Sequence, residues 1–561
     1  MISFLGLAVF LVLVLTLMPL LVLVLTSLRP AGTYGLDGGG FTLSNFVDLF
    51  QQQGLGLLIS NTFIYVFGTI AIAVVFASFW SWITERTDFR LKTLVRVLML
   101  LTLALPPLIQ GLGWTLLLNP NNGLINELLR DLFGMEARSG PINIYSMGMM
   151  VLVSAFLLTP PVYVMLAGVI KHLDYKLEFP AVLAGVHPRQ VFMRIMLPIL
   201  LPGLLSVLIY TVMIMIQVFD IPLSIGLTAG IQVLSTRIYL LSSSELGAPN
   251  YNLAAAFGVL LIALSVMLVM LYRHMTRVSE RFAVISGKNY RMVMTRLGSR
   301  RLTVNVIAFV YFFISVSPIL ILAWTSFLPF YELPSMAALS KISLINYVDL
   351  FESSMFRKSL VNSIIVVLVG ATVTMAVSFI ISYSTARPVN FWQKFTDTLA
   401  FLPIAIPHIV LGLAVLLVYV RTPLYGTIMA IILAQISVSM VFGTRTLSAA
   451  LLQVNQDLER AAIVSGVPRR HVMTRILAPI IRTQFFNGWL LVFAFAVRDV
   501  GVPLVFLTSE TVVLSSALWM IWGYPNVPGA AALSMIIVVF LAVFVTPLQV
   551  LLARIDRKEE G

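Results

Sequence analysis

The chain has 561 residues, of which 59% are hydrophobic and only 11% charged, with a mean hydropathy of +1.00. Soluble domains carry about a quarter charged residues, and no soluble core of this size could hide so much apolar surface. A soluble enzyme and a disordered chain are both excluded. The net charge of +13 fits Lys and Arg gathered in cytoplasmic loops rather than nucleic-acid binding. The absence of cysteine removes disulfides, thiolate metal sites and thiol nucleophiles.

Apolar segments long enough to span a bilayer fall at 3–28, 57–82, 94–118, 147–170, 199–226 and 253–272. A second set falls at 303–327, 360–384, 397–420, 425–450, 484–508 and 530–552. The fold class expected is all-α, a polytopic membrane protein of about twelve transmembrane helices. Residues 1–28 carry no charged side chain, and Arg29 lies beyond the apolar run. A cleaved signal has a basic start and a shorter core, so this segment reads as an uncleaved first helix. Segments 199–226 and 484–508 contain internal Pro and charge and are expected to be broken. Pro106-Pro107 with Gly111, and Pro403, Pro407 with Gly412, suggest kinks near helix starts.

Loop charges set the orientation. Between Arg273 and Arg301 lie eight Lys or Arg residues against Glu280 alone, the strongest positive-inside signal in the chain. That puts the central linker in the cytoplasm, and six helices before it put the N-terminus there too. The tail from Arg554 to Lys558 returns to the same side.

The chain repeats itself. Asn45-Phe-Val-Asp-Leu-Phe50 recurs as Asn346-Tyr-Val-Asp-Leu-Phe351 at an offset of 301, which Asn61 and Asn362 share. Leu177–Pro198 aligns with Leu458–Pro479 at an offset of 281, with ten of 22 columns identical. The division expected is a first repeat at 1–274, a basic linker at 275–302 and a second repeat at 303–561. Each repeat has an even number of helices, so the two are parallel, as in many transporters built by duplication.

The second duplicated stretch is basic, amphipathic and cytoplasmic by this topology. Its shared columns are Glu178, Ala181, Gly185, Arg189, Arg194 and Pro198 in the first copy, and Glu459, Ala462, Gly466, Arg470, Arg475 and Pro479 in the second. Gly tolerates the left-handed residue that ends a helix, and Pro cannot continue a helix interior. A short helix closed by Gly, then a second stopping before Pro, is expected twice. Plain interfacial anchoring explains the composition but not a Gly-to-Pro spacing of 13 in both copies.

This stretch resembles the cytoplasmic Glu-Ala-Ala…Gly…Ile-x-Leu-Pro loop of ABC importer permeases of type I. The likeness extends over nearly the whole chain and is nearest to the fused ferric iron permeases, whose relatives carry thiamine, phosphonates and similar solutes. Pro141-Ile-Asn-Ile-Tyr145 and Arg281-Phe-Ala283 look like that group as well. The resemblance implies a bacterial inner-membrane permease in which the two loops dock onto a homodimeric ABC ATPase. It further implies delivery of ferric iron or another small solute by a periplasmic binding protein. ATP and Mg would be used by the ATPase, with no cofactor in this chain. Phe179 and Arg460 stand where the family has Glu, and Pro180 follows Phe179. The chain has no Gly-x-x-x-x-Gly-Lys-Ser/Thr loop to cradle ATP phosphates; its one Gly-Lys pair, Gly287-Lys288, is followed by Asn.

Ionisable residues inside apolar segments are functional candidates. Gln217 and Asp220 lie in the fifth segment of the first repeat, Arg498 and Asp499 in that of the second. Gln217 and Arg498 share a column; Asp220 and Asp499 do not. They form either a polar translocation path or internal ties that hold a broken helix. The five histidines suggest no metal site, and only His408 opens a membrane segment. Two rivals remain: an ion-gradient-driven secondary transporter, against which the duplicated loop argues, and the same importer class carrying thiamine, phosphonate or polyamine.

Overall fold

The computed structural model describes residues 2–34, 39–135, 139–171, 186, 188–191, 193–194, 197–245, 247–281, 296–387, 389–524 and 526–559. Among them the regular elements are helices. Eight are long and apolar enough to cross a bilayer, and three further pairs pass that test only as bent pairs. Helices prevail because each satisfies its own backbone polar groups where water is absent.

Burial separates outer from inner helices. One third (33%) of the most apolar window of Leu55–Arg86 is buried, against 72% in Ile428–Gln453. The first helix turns Phe63, Phe67 and Val75 outward, side chains that lipid tails accept. The second buries Gln435, Ser437, Ser439 and Thr444, and Gln435 Nε2 donates to Ser439 Oγ at 2.9 Å. A buried amide without such a partner would carry the full desolvation cost.

Two segments read as single spans turn corners. Lys92–Ala104 and Pro107–Leu118 meet at 99°, and Phe391–Ala405 and His408–Tyr419 at 115°. Leu105 and Ile406 are extended, as a residue before proline prefers. Pro106 and Pro407 then stand as the N-caps of the second helices. The expected breaks in 199–226 and 484–508 are present. Leu197–Gln217 is followed by the π-helix Pro222–Gly226, and Arg482–Arg498 by Gly501–Val505.

The chain forms two compact units that do not follow the sequence order. One contains Met1–Leu55, Arg237–Ile262 and Leu322–Gly561; the other contains Gly56–Thr236 and Ala263–Ile321. The opening helix of the chain therefore packs with second-repeat elements, and Phe4 meets Tyr383 edge-on at 5.9 Å. In the other unit Tyr311 and Phe312 pack on Trp80 at 5.4 and 5.7 Å.

The sequence repeat reappears as repeated hydrogen bonds. Asn45 Nδ2 donates to the carbonyls of Ser27 and Arg29 at 2.9 and 2.7 Å. Its counterpart Asn346 Nδ2 donates to those of Ser326 and Leu328 at the same two distances. Asn61 reaches the carbonyl of Gln232 at 3.3 Å, and Asn362 those of Glu510 and Val512 at 2.9 and 2.8 Å. Ser81 and Ser382 bind the carbonyls of Tyr163 and Thr444 at 3.2 and 2.9 Å. The duplicated Asn-x-Val-Asp-Leu-Phe motif thus closes a helix end whose last carbonyls lack partners of their own.

Replacing Asn346 with Ala leaves two buried carbonyls without their donor. We expect a loss of about 1–3 kcal/mol, read as a lower midpoint in thermal unfolding of the detergent-purified chain. An unchanged midpoint would contradict this role of Asn346.

Candidate functional site

The second copy of the duplicated loop is described in full. Helix Gln456–Val464 starts at Asn455, whose side chain accepts from the Asp457 N–H at 3.0 Å. Asp457 and Glu459 lie in its first turn, where carboxylates complement the helix dipole. It ends as the spacing expects: Gly466 has φ +82°. The Val467 N–H binds the Ala462 carbonyl and the Gly466 N–H binds that of Ile463, both at 3.0 Å. This is the paired closure that favours glycine.

The inner face of this helix sets Ala462 and Ile463 on a core of Val472, Leu477, Ile481, Val492 and Phe493. The outer face shows Asp457, Leu458, Arg460 and Val464 to solvent, and Arg470 and Arg475 on the turns that follow are exposed as well. Val464 is 87% exposed. Glu459 turns inward and accepts from the Tyr383 hydroxyl at 3.1 Å. The exposed position six residues before Gly466 is held by Arg460. The exposed surface therefore mixes two apolar side chains with three arginines and the carboxylate of Asp457.

One expectation is corrected. The second short helix does not stop before Pro479. A π-helical stretch, Val472–Leu477, carries it into Ala478–Ile480, with Pro479 among the first residues of that turn. The bend of 76° to Arg482–Arg498 falls afterwards. Proline needs no N–H partner in a first turn, so the π stretch accommodates it. Pro198 lies in Leu197–Gln217 and is exposed; residues 195 and 196 before it lie outside the described residues. In the first copy, Glu178, Ala181 and Gly185 lie outside the described residues. Arg189 belongs to the helix Pro188–Val191, and Arg194 is exposed.

The four intramembrane candidates flank the two helix breaks. Gln217 Nε2 donates back to the Met213 carbonyl at 2.9 Å, and Asp220 is half-buried just beyond. Arg498 ends its helix with the guanidinium 5.8 Å from the centre of the Phe495 ring. Asp499 is buried. Its Oδ1 accepts from the Gly501 N–H at 3.1 Å and faces His408 Nδ1 at 3.4 Å. Its Oδ2 is buried with no hydrogen-bond partner. Each break is also clasped from outside: Ser235 Oγ donates to the Val218 carbonyl at 3.0 Å and Ser515 Oγ to the Asp499 carbonyl at 2.9 Å. Val218 and Asp499 occupy the same repeat column, so one clasp is built twice, with a carboxylate in the second copy only.

Sequence reading missed the His408–Asp499 pairing, because 91 residues separate the two. The available signal was that each borders a helix break, at Pro407 and at Gly501. Among the described residues no three His, Asp or Glu side chains gather as metal ligands would.

Glycines let the cornered helices approach their neighbours. Gly412 faces Val502, where an added Cβ would sit 3.4 Å from its Cα. Its counterpart Gly111 faces Ile221 and Ser224 more tightly, with an added Cβ 3.0 Å from Ile221 Cδ1. Gly113 lies against the backbone of Pro318, and an added Cβ would stand 2.7 Å from the Pro318 carbonyl carbon.

The chain matches the family described as "Binding-protein-dependent transport system inner membrane component" over residues 77–278 and 378–560. It is 23% identical over 484 residues to the ferric transport system permease protein FbpB of Actinobacillus pleuropneumoniae, covering 85% of this chain and 68% of that one. It is 22% identical over 482 residues to the putative ferric transport system permease protein FbpB 1 of Haemophilus influenzae, covering 85% and 74%. The maltose/maltodextrin transport system permease protein MalF of Photorhabdus laumondii is 26% identical over 277 residues, 45% and 53% of the two chains. A solved bacterial ABC transporter involved in alginate import aligns with a TM-score of 0.37 at 18% identity, over 46% of this chain and 97% of that one.

Gly113→Ala pushes a methyl into backbone that cannot rotate away, whereas Gly412→Ala meets ordinary contact. Overpacking costs about 1–3 kcal/mol. Gly113→Ala is expected to lower the thermal midpoint clearly, and Gly412→Ala to leave it nearly unchanged. Equal effects would contradict the packing described.

Proposed function

We propose, on the premise that the chain belongs to the family of binding-protein-dependent transport system inner membrane components, that it carries ferric iron into the cell and is driven through its two duplicated loops. The family membership itself makes the chain the membrane permease of a bacterial ABC importer. ATP is hydrolysed by a separate subunit, and solute arrives on a periplasmic binding protein.

Ferric iron is supported by the names of three relatives that align over 85% of this chain. The ATPase is proposed as a homodimer, because two alike loops call for two alike docking grooves. The loops would face the cytoplasm together with both termini, as the basic linker argues. In this reading 1–274 and 303–561 are the two halves of the pathway. Gln217, Asp220, Arg498 and Asp499 border its moving parts, and iron passes as cargo.

The observation that carries the coupling role is the construction of the 456–464 helix. It is a short helix that exposes Leu458, Arg460 and Val464, closed by a left-handed glycine and seated on the membrane-helix core. A partner that grips such a helix moves the core with it. Coupling then requires that the ATP-closed partner favour one of two permease states.

The reading is tested by uptake of radiolabelled ferric iron in cells lacking the chain, complemented with wild type or a Gly185→Val, Gly466→Val double variant. A β-branched residue is a true outlier at positive φ, so Gly466→Val disrupts the loop closure. Wild type alone is expected to restore uptake. Uptake that never depends on the chain would overturn iron. A normally expressed double variant as active as wild type would overturn the loops' role.

A further inference from the structure

Between the 456–464 helix and the break at Asp499 runs one continuous helix, Ser354–Thr385. It grips a partner at each end. At one end Arg387, two residues beyond the helix, donates from Nη2 to the carbonyls of Leu451 and Val454 at 2.9 and 2.6 Å. Those carbonyls belong to the end of helix Ile428–Gln453 and to its cap, Val454. Asn455, the N-cap of the loop helix, comes directly after. A cation at a helix C-terminus meets both the dipole and unpaired carbonyls. The joint leading into the loop helix is therefore held from outside. Tyr383, one turn back, donates to Glu459 within the loop helix itself at 3.1 Å.

Towards its other end the same helix holds the segment that follows the break. Asn362 Nδ2 binds the carbonyls of Glu510 and Val512, and Ser363 Oγ accepts from the Leu514 N–H at 2.7 Å. The next residue, Ser515, clasps the Asp499 carbonyl. From Asn362 to Tyr383 is about 30 Å at helical rise. The helix is unbroken over its 32 residues and has no internal proline to kink it.

Part of the arrangement recurs in the first repeat. Arg86 occupies the column of Arg387 and is buried at the end of helix Leu55–Arg86. Asn61 and Thr62 hold Gln232 and Leu234, and Ser235 clasps Val218. The first repeat thus repeats the grip at the Asn61 end and the serine clasp, while Trp82 stands in the column of Tyr383.

We infer that Ser354–Thr385 is a rigid strut that carries displacement of the 456–464 helix to the break at Asp499. Arg387 and Tyr383 are positioning residues at one end, and Asn362 and Ser363 at the other. This rests on the coupling role proposed for the loop. The strut converts a push on an exposed helix into movement of the segment that fixes the geometry of the break. It requires the physical continuity shown here, with both ends biasing one element.

The test uses the complete transporter, with ATPase, reconstituted in lipid. ATP hydrolysis and solute uptake are measured with and without solute-loaded binding protein. Arg387→Gln loses the charge-assisted bonds, and we expect binding-protein stimulation of hydrolysis to fall about tenfold, with uptake per ATP falling alongside and unstimulated hydrolysis kept. Arg387→Lys keeps the charge and should recover part of the coupling. Asn362→Ala, at the far end, should reproduce the same split. Tyr383→Phe removes one hydroxyl, and it serves where Arg387→Gln does not assemble. Stimulation retained in folded Tyr383→Phe and Asn362→Ala transporters overturns the strut. If Gly466→Val uncouples while these do not, the strut alone fails; if Gly466→Val also stays coupled, the loop reading fails with it.

Discussion

The structure depends on one constraint: a helix interrupted inside a bilayer exposes carbonyls that no water can take. This chain interrupts the fifth helix of each repeat and answers with a serine from a short neighbouring helix. Ser235 serves the Val218 carbonyl and Ser515 that of Asp499. Those two bonds give one carbonyl at each break its donor. They also make the breaks sensitive, because anything that moves the serine's helix alters the break. The cornered helices Pro107–Leu118 and His408–Tyr419 pack beside the breaks through glycine, so close approach is part of the same design.

The halves are alike in their backbone ties and unlike in their charges. Val218 and Asp499 share a column, as do Pro107 and His408. The second repeat therefore carries a facing carboxylate and imidazole where the first has two apolar residues. Duplication kept the clasp, which the bilayer demands, and released the side chains, which it does not.

Much of this was legible in the sequence. Long apolar runs gave the all-helical membrane class. The offsets of 301 and 281 located the columns whose hydrogen bonds prove to be shared. The Gly-to-Pro spacing located the loop, and the left-handed Gly466 followed from the chemistry of glycine. What failed had physical reasons. Pro479 was read as a stop, but proline in a first turn needs no donor, and a π stretch absorbs it. The corners at Pro106 and Pro407 were read as kinks, because hydropathy reports length and not direction. The facing of His408 and Asp499, and the grip of Arg387 on Val454, join residues far apart in sequence, which no local pattern encodes. The exchange of opening helices between compact units has no local signal either.

The most direct measurement exploits the absence of cysteine from the chain. Val500 follows Asp499 at the break and is 2% exposed. A Val500→Cys variant in the complete transporter carries one thiol on the permease, whose labelling by a water-soluble maleimide is followed with and without ATP. Labelling is expected to accelerate when ATP binds, and Arg387→Gln in the same background to abolish that acceleration. A labelling rate indifferent to ATP would contradict the claim that force applied at the loops reaches the broken helix.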